Sequence, residues 1–415
     1  MVKVLRHRVY SHLFGSLVCS LLGSGLATVA LGLVSYDIAG ADASAVLGMI
    51  FTVKMIAYVV IAPLANAAVA RLPRRAVMVG SDCLRLAAAL CLPFVGAVWQ
   101  IFALVFVLQA ASAVFTPTFQ SVVPAVLPDE DDYTNALSLA RLAEDLETIV
   151  SPMLAAALLL VVRANALFFG TAIGFAASAL LVLSAAIPHD LGVADDDDEE
   201  PFGTRARAGI ELFFRTPALR PVVALNVTIA AVVSYVLVQT VVVVRADFGM
   251  PQTAVALFLA ANGAGSIATA LALPHVLRRT DERAVMLPGA ALLCAALVAV
   301  AAVLARASAP WAPCAIAALW ALIGVGWAGV EMPIGRLIPR AVPERRLSAA
   351  FAGQFSLSHG CWLVCYPLTG ALAGWGLSRT ALVMAGLGTA AAGAGVVLWD
   401  RTHGSEDDRE PRGTP

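Results

Sequence analysis

Four charged side chains fall within seven residues: Arg141, Glu144, Asp145 and Glu147. Arg141, Asp145, Thr148 and Pro152 follow steps of four, three and four, which on an α-helix sets them on one face with Glu144 beside it. Arg141 can pair with Asp145 at i,i+4, which leaves Glu144 and Glu147 over. A carboxylate in low dielectric without a full partner holds its proton more tightly than in water. Such a group loads and unloads protons near neutral pH and competes with a cationic ligand. The bland alternative is that these first helical turns stand in solvent. Lys54 is the only Lys within a long apolar stretch. It either binds an anionic group and gates the outer side, or makes a structural ion pair with an acid that the sequence leaves unidentified.

A second set lies upstream. Asp82 and Arg85 are three apart and can pair with each other or with Arg71, Arg74 and Arg75. Ion pairs that hold in one conformation and break in another make an inner gate; anchoring of topology by positive charge is the competing reading for the three arginines. Glu331 closes another apolar run, with Arg336 available to it. Asn226, Gln239, Asn262, Gln354 and His359 are isolated polar groups in apolar surroundings, and interhelical hydrogen bonds are the expectation for them.

These residues need elements that carry charge through apolar surroundings, and the composition says which. Of 415 residues, 60% are hydrophobic and 13% charged, and mean hydropathy is +0.85. A soluble domain is about 25% charged and about 45–50% apolar, so a soluble enzyme is excluded and a polytopic membrane protein is indicated. The net charge of −1 offers no basic field for nucleic acid. Neither Lys3 nor Lys54 follows a Gly, so no P-loop is present. The seven Cys lie in apolar stretches and read as small packing residues rather than a disulfide framework or a metal site. No zinc pattern, Ser-His-Asp arrangement or cofactor fingerprint stands out. The expectation is therefore a non-enzyme without metal or cofactor.

A bilayer-crossing helix needs about 20 mostly apolar residues. Twelve stretches qualify, at approximately 12–35, 45–70, 76–98, 100–126, 136–162, 164–187, 221–244, 252–277, 284–305, 311–332, 348–376 and 379–399. The first, behind MVKVLRHR, is too long for a signal peptide and reads as an uncleaved helix. In the fifth, the clean run from Ile149 to Val162 spans only about 21 Å of a roughly 30 Å core. The helix must extend backwards, which draws Glu147, and with it Glu144, Asp145 and Arg141, to membrane depth. Lys54 sits about 12 Å from the outer end of the second helix. Arg163, Arg245, Arg306 and Arg379 fall on one side; Lys54, Arg85 and Arg141 are within helices; the other 20 basic residues share the side of both termini. That side is cytoplasmic by the positive-inside rule.

One long hydrophilic break runs from about 188 to 220. It holds the acidic run 195–200, expected to be solvated, and RARAGIELFFR (205–215), an amphipathic helix for the inner membrane surface. The organisation expected is a six-helix bundle over 1–190, a cytoplasmic linker over 191–220, a second six-helix bundle over 221–400 and a disordered tail over 401–415. The halves repeat. Arg75-Ala-Val-Met78 recurs as Arg283-Ala-Val-Met286, and Pro124, Pro128 and Pro152 recur as Pro339, Pro343 and Pro367 at a constant offset of 215. Two six-helix repeats around a midplane site is a common secondary-transporter plan.

On these features the chain resembles the major facilitator superfamily over nearly its whole length, and within it the bacterial drug-efflux branch that includes macrolide and enterobactin exporters. Pro63-Leu-Ala, followed by Ala70-Arg71-Leu72-Pro73-Arg74-Arg75, falls where that superfamily carries its signature between the second and third spans. Asp82 and Arg85 follow in a D-x-x-R pattern. Thr134-Asn135-Ala136-Leu137 resembles the branch's opening of the fifth span, and Thr216-Pro217 through Arg220 its opening of the seventh. Arg278-Arg279 echoes the signature in the second half. Ala70 stands at the signature's acidic position, Asn66 and Pro73 at glycine positions, and the antiporter pattern of the fifth span is reduced to Ser151-Pro152.

The resemblance implies an all-α membrane protein of twelve helices in two pseudo-symmetric bundles, monomeric in the bacterial inner membrane. It implies a secondary transporter driven by protons that exports small amphipathic, drug-like molecules by alternating access. Its partners would be the substrate, protons and the lipid bilayer. The alternatives are import or export of a narrow native solute, and a non-transporting receptor that keeps the fold.

Overall fold

The computed structural model describes residues 4–57, 59, 72–127, 129–185, 202–343 and 346–407. All regular structure among them is helical. The helices are α1 (Arg8–Ala39), α2 (Ala43–Ile56), α3 (Arg74–Cys91), α4 (Val98–Val126), α5 (Glu130–Leu158), α6 (Leu167–Ser184), α7 (Phe202–Arg215), α8 (Arg220–Val242), α9 (Gln252–Val276), α10 (Glu282–Leu304), α11 (Ala312–Glu331), α12 (Ile334–Ala341), α13 (Leu347–Leu372) and α14 (Leu377–Asp407).

Nine helical stretches among the described residues are long and apolar enough to cross a bilayer. They are α1, α3, α4, α6, α8, α9, α10, α11 with α12, and α14. The other three expected spans correspond to α2, α5 and α13, and each falls short for its own reason. The described α2 has 14 residues. α5 carries the charged cluster. α13 dilutes its apolar side chains with Gln354, Ser356, Ser358 and His359.

The backward extension demanded of the fifth span is present. Asp129 caps α5 by accepting from the Asp132 amide, so the helix runs unbroken from Glu130 through the acidic cluster to Leu158. The amphipathic segment expected at 205–215 is α7. The acidic run 195–200 lies outside the described residues. Where a disordered tail was expected from residue 401, α14 continues to Asp407. A helix leaving the apolar phase needs no further apolar face to keep its backbone bonds.

The chain divides into two compact units: Met1–Glu199 with Val241–Ala260, and Glu200–Thr240 with Ala261–Pro415. The boundaries differ from the expected division at 190 and 221, because the turn joining α8 to α9 groups with the first unit. There Gly32 accommodates Val241, the Arg245 guanidinium lies over the Tyr36 ring at 5.7 Å, and Gln252 Nε2 donates to Asp37 Oδ2 at 3.4 Å.

In the first unit α1 and α6 cross on glycines. A Cβ placed on Gly174 would stand 2.8 Å from the Cys19 carbonyl oxygen and 3.0 Å from Gly23 Cα. Small residues let helix backbones approach where lipid offers no hydrophobic drive. Gly174→Leu therefore forces the crossing apart and costs about 1–3 kcal/mol. The expected readout is a lower melting temperature of the purified protein, whereas Gly80→Ala, with open space at its Cβ, leaves it unchanged. Equal melting of the two variants would dismiss the crossing as a constraint.

In the second unit α8 is tied to its neighbours by polar groups. Trp320 is fully buried, donates from Nε1 to Thr240 Oγ1 at 2.7 Å and meets the Tyr235 ring edge-on. Its carbonyl accepts from Asn262 Nδ2 at 2.9 Å. Gln239 Nε2 donates to the Thr369 carbonyl at 3.0 Å, and the hydroxyls of Ser234 and Thr369 meet at 2.8 Å. Each link satisfies a polar group that would be costly unpaired in low dielectric.

Candidate functional site

The charged cluster is assembled by three helices of the first unit. α2 supplies Lys54 and α5 supplies Glu144, Glu147 and Ser151. α1 supplies Gly25, where a side chain would overlap both the Glu147 carboxylate and Ser151. Lys54 and Glu147 lie within electrostatic range of each other, and Glu144 within range of Glu147. The Ser151 hydroxyl is fully buried beside Glu147, one helical turn further along α5.

Depth can be read along the helices. Lys54 is eleven residues after the start of α2, and Glu147 is eleven residues before the end of α5. If successive spans alternate in direction, both count from the same face, and both lie about 16 Å in, roughly half of a 30 Å core. Glu147 thus has a cation, Lys54, within electrostatic range. The Arg141 and Asp145 side chains lie outside the described residues. So does Arg71.

The second set behaves as a closed unit. Arg85 pairs with Asp82 and donates to Ser20 Oγ at 2.7 Å; Ser178 donates to Asp82 Oδ2 at 2.8 Å. The guanidinium lies between the rings of Phe115 and Phe175, 4.3 and 4.6 Å from their centroids. Asp82 is 0% and Arg85 2% exposed. All these partners, from α1, α3, α4 and α6, belong to one unit. Arg74 and Arg75 open α3, and Arg75 donates to the Leu183 carbonyl at the end of α6.

The repeat has a structural counterpart. Arg283, 208 residues after Arg75, pairs with Asp400 on the last helix as Arg75 reaches the end of α6.

Sequence reading passed over Glu282. This buried carboxylate at the start of α10 receives Arg340 Nη1 at 2.7 Å and lies 3.4 Å from Arg336 Nε. It ties α12 to α10. Arg336, which the sequence makes available to Glu331, also reaches this carboxylate and the Leu277 carbonyl. The available signal was position: Glu282 directly precedes the repeated Arg-Ala-Val-Met. Glu282→Ala leaves the two arginines without their carboxylate and costs about 1–3 kcal/mol. A lowered melting temperature, recovered in part by Glu282→Asp, is the expected result; unchanged melting would show that α12 is held otherwise.

The remaining polar residues are spent on packing. Asn226 and Gln354 form a reciprocal amide pair at 3.1 and 3.2 Å, Asn262 serves Trp320 as above, and His359 Nδ1 lies 2.8 Å from the Phe355 carbonyl, its ring stacked on Phe355. The Asn226, Gln354 and Asn262 bonds run between helices, whereas this His359 contact lies within α13.

A family model described as Major Facilitator Superfamily matches residues 13–351. Among curated proteins, macrolide efflux protein A of Enterococcus faecalis is 29% identical over 136 residues, 32% of this chain and 42% of that protein. Macrolide efflux protein A of Streptococcus pyogenes is 28% identical over 148 residues, 34% of this chain and 36% of that one. The match thus spans less than half of either relative. Among solved structures, nucleoside transporter NupG matches with a TM-score of 0.75 at 14% identity, covering 94% of this chain and 99% of that one. A bacterial homologue of the human lysosomal transporter Spinster, inward-facing and unoccupied, matches with a TM-score of 0.71 at 12% identity, covering 94% and 97%. At these identities the structures speak to the fold alone.

Proposed function

This chain belongs to the Major Facilitator Superfamily, and from that premise we propose that it is a proton-coupled exporter of small amphipathic molecules. Membership makes it a multi-pass membrane transporter. The finer reading rests on one observation: an acid, Glu147, and a base, Lys54, held near each other at about half the depth of an apolar helical unit. On this reading α2, α5 and α13 join the nine apolar helices to make twelve spans in two groups of six. Both termini face the cytoplasm of a bacterium, and the protein works as a monomer without a cofactor.

Glu147, with Glu144, Asp145 and Arg141 on the same helix, is the proton-loading group. Lys54 compensates it when no proton is bound. Protonation shifts the balance between inward-open and outward-open states, which requires proton and substrate each to favour one state. Arg71, Arg74 and Arg75 serve the inner gate with Asp82 and Arg85 behind them. Macrolides are the first substrates to try, because the regional sequence similarity is to macrolide exporters.

The test uses reconstituted protein and a pH-sensitive dye under an imposed proton gradient, with cationic, neutral and anionic compounds added in turn. Compound-dependent collapse of the gradient supports the reading. Silence of both the dye and radiolabelled uptake across the panel would refute drug antiport and favour a narrow native solute or a receptor.

A further inference from the structure

The second unit carries a groove apart from the charged cluster described above. α7 crosses α13 with Gly209 seated against Ala349 and Gly353, so closely that a side chain on Gly209 would overlap the Ala349 carbonyl. Beside the crossing the two helices leave a cavity of about 290 Å³, lined by Ala208, Glu211, Leu212, Arg215, Arg346 and Ala349. Three of the lining residues, Ala208, Leu212 and Ala349, are apolar and are taken as its floor. The rim is charged. Arg215 pairs with Glu211 at 2.6 Å, but both are exposed, at 78% and 55%, so solvent screens the pair and a ligand can share either partner. Arg346, at the start of α13, makes no ion pair among the described residues. Phe214, next to the groove, is 54% exposed.

Two arginines and one glutamate give the rim a charge of +1. An apolar floor under a singly cationic rim matches a monoanionic phosphodiester with an acyl chain attached. A guanidinium binds phosphate through paired N–H donors, and Glu211 is placed to accept from headgroup hydroxyls. An exposed Phe on a basic amphipathic helix suits the headgroup boundary of a bilayer.

We infer that the α7–α13 groove binds the headgroup of an anionic phospholipid, with Arg346 and Arg215 on its phosphate. The site goes beyond the transport reading and stands whether or not protons are coupled. The experiment is native mass spectrometry of the full-length protein titrated separately with phosphatidylglycerol, phosphatidylethanolamine and soluble glycerol 3-phosphate. The variants are Arg215→Gln with Arg346→Gln, Arg346→Lys, and Arg207→Gln on an exposed part of α7 outside the groove.

Phosphatidylglycerol is expected to bind the native protein tightest. Affinity should fall roughly tenfold or more in the double Gln variant, fall less in Arg346→Lys and hold in Arg207→Gln. Equal binding of phosphatidylethanolamine would overturn the selection for net negative charge. Equal binding of glycerol 3-phosphate would show a free-phosphate site instead of a lipid site. Loss of binding in Arg207→Gln equal to that in the double variant would reduce the effect to general surface charge. Unchanged melting of the double variant without lipid confirms that it is folded when compared.

Discussion

Glu147→Gln sharply reduces compound-driven proton movement in proteoliposomes. The expected fall is about 5–150-fold, the range that a coupling free energy of 1–3 kcal/mol allows. Gln keeps the size and hydrogen-bonding capacity of the side chain on Gly25 and removes its proton site, so substrate binding survives while coupling does not. Lys54→Met acts differently. It leaves the Glu147 charge at depth without its nearby cation, so the ionised form is disfavoured and the pH profile of transport moves. The double variant Lys54→Met, Glu147→Gln carries neither charge and melts closer to the native protein than the sum of the single variants predicts. A coupling of about 0.5–3 kcal/mol is the expected departure from additivity. Wild-type transport by Glu147→Gln, with an unchanged pH profile, would move the proton site to another acid, and Glu144→Gln is then the next variant to assay.

Arg85→Met melts far below the native protein or fails to accumulate. It strands the buried Asp82 carboxylate, to which, among the described residues, Ser178 still donates. Breaking one partner out of a buried pair costs about 3–5 kcal/mol. The two flanking rings of Phe115 and Phe175 lose their cation as well, at about 0.5–2 kcal/mol. Asp82→Asn combined with Arg85→Met restores most of the melting temperature, because a neutral, well-filled site carries no uncompensated charge.

The same pair of proteins separates two roles for this ion pair. A double variant that is stable and still transports marks Asp82 and Arg85 as a brace of one unit. A double variant that is stable but inactive marks them as part of the inner gate. Native-like melting of Arg85→Met alone would sink the account of a buried, enclosed charge.

Much of the architecture was legible because membrane insertion imposes a simple rule on sequence. Backbone polar groups in lipid must bond within their own segment, so each crossing leaves a run of apolar residues with a helical length. That is why all nine of the strongly apolar helices fall on expected spans. The early start of α5 was legible too, since a 14-residue apolar run was too short for a span and pointed to a helix beginning before it. The amphipathic helix α7 was visible for the same reason, as a period of basic and apolar residues outside the spans.

Pairing was another matter. Nothing along the chain links Lys54 to Glu147, which are 93 positions apart, or seats both Glu147 and Ser151 on Gly25. Nothing local shows that Arg85 lies between Phe115 and Phe175, or that Arg336 reaches Glu282. Hydropathy and helical period act within a segment and are written in consecutive residues. Which face of one helix meets which face of another depends on shape and charge complementarity summed over many distant side chains. The sequence alone therefore determined that the chain forms membrane helices and roughly where they run. Only the tertiary structure decided which charges meet, because that depends on how distant helices pack.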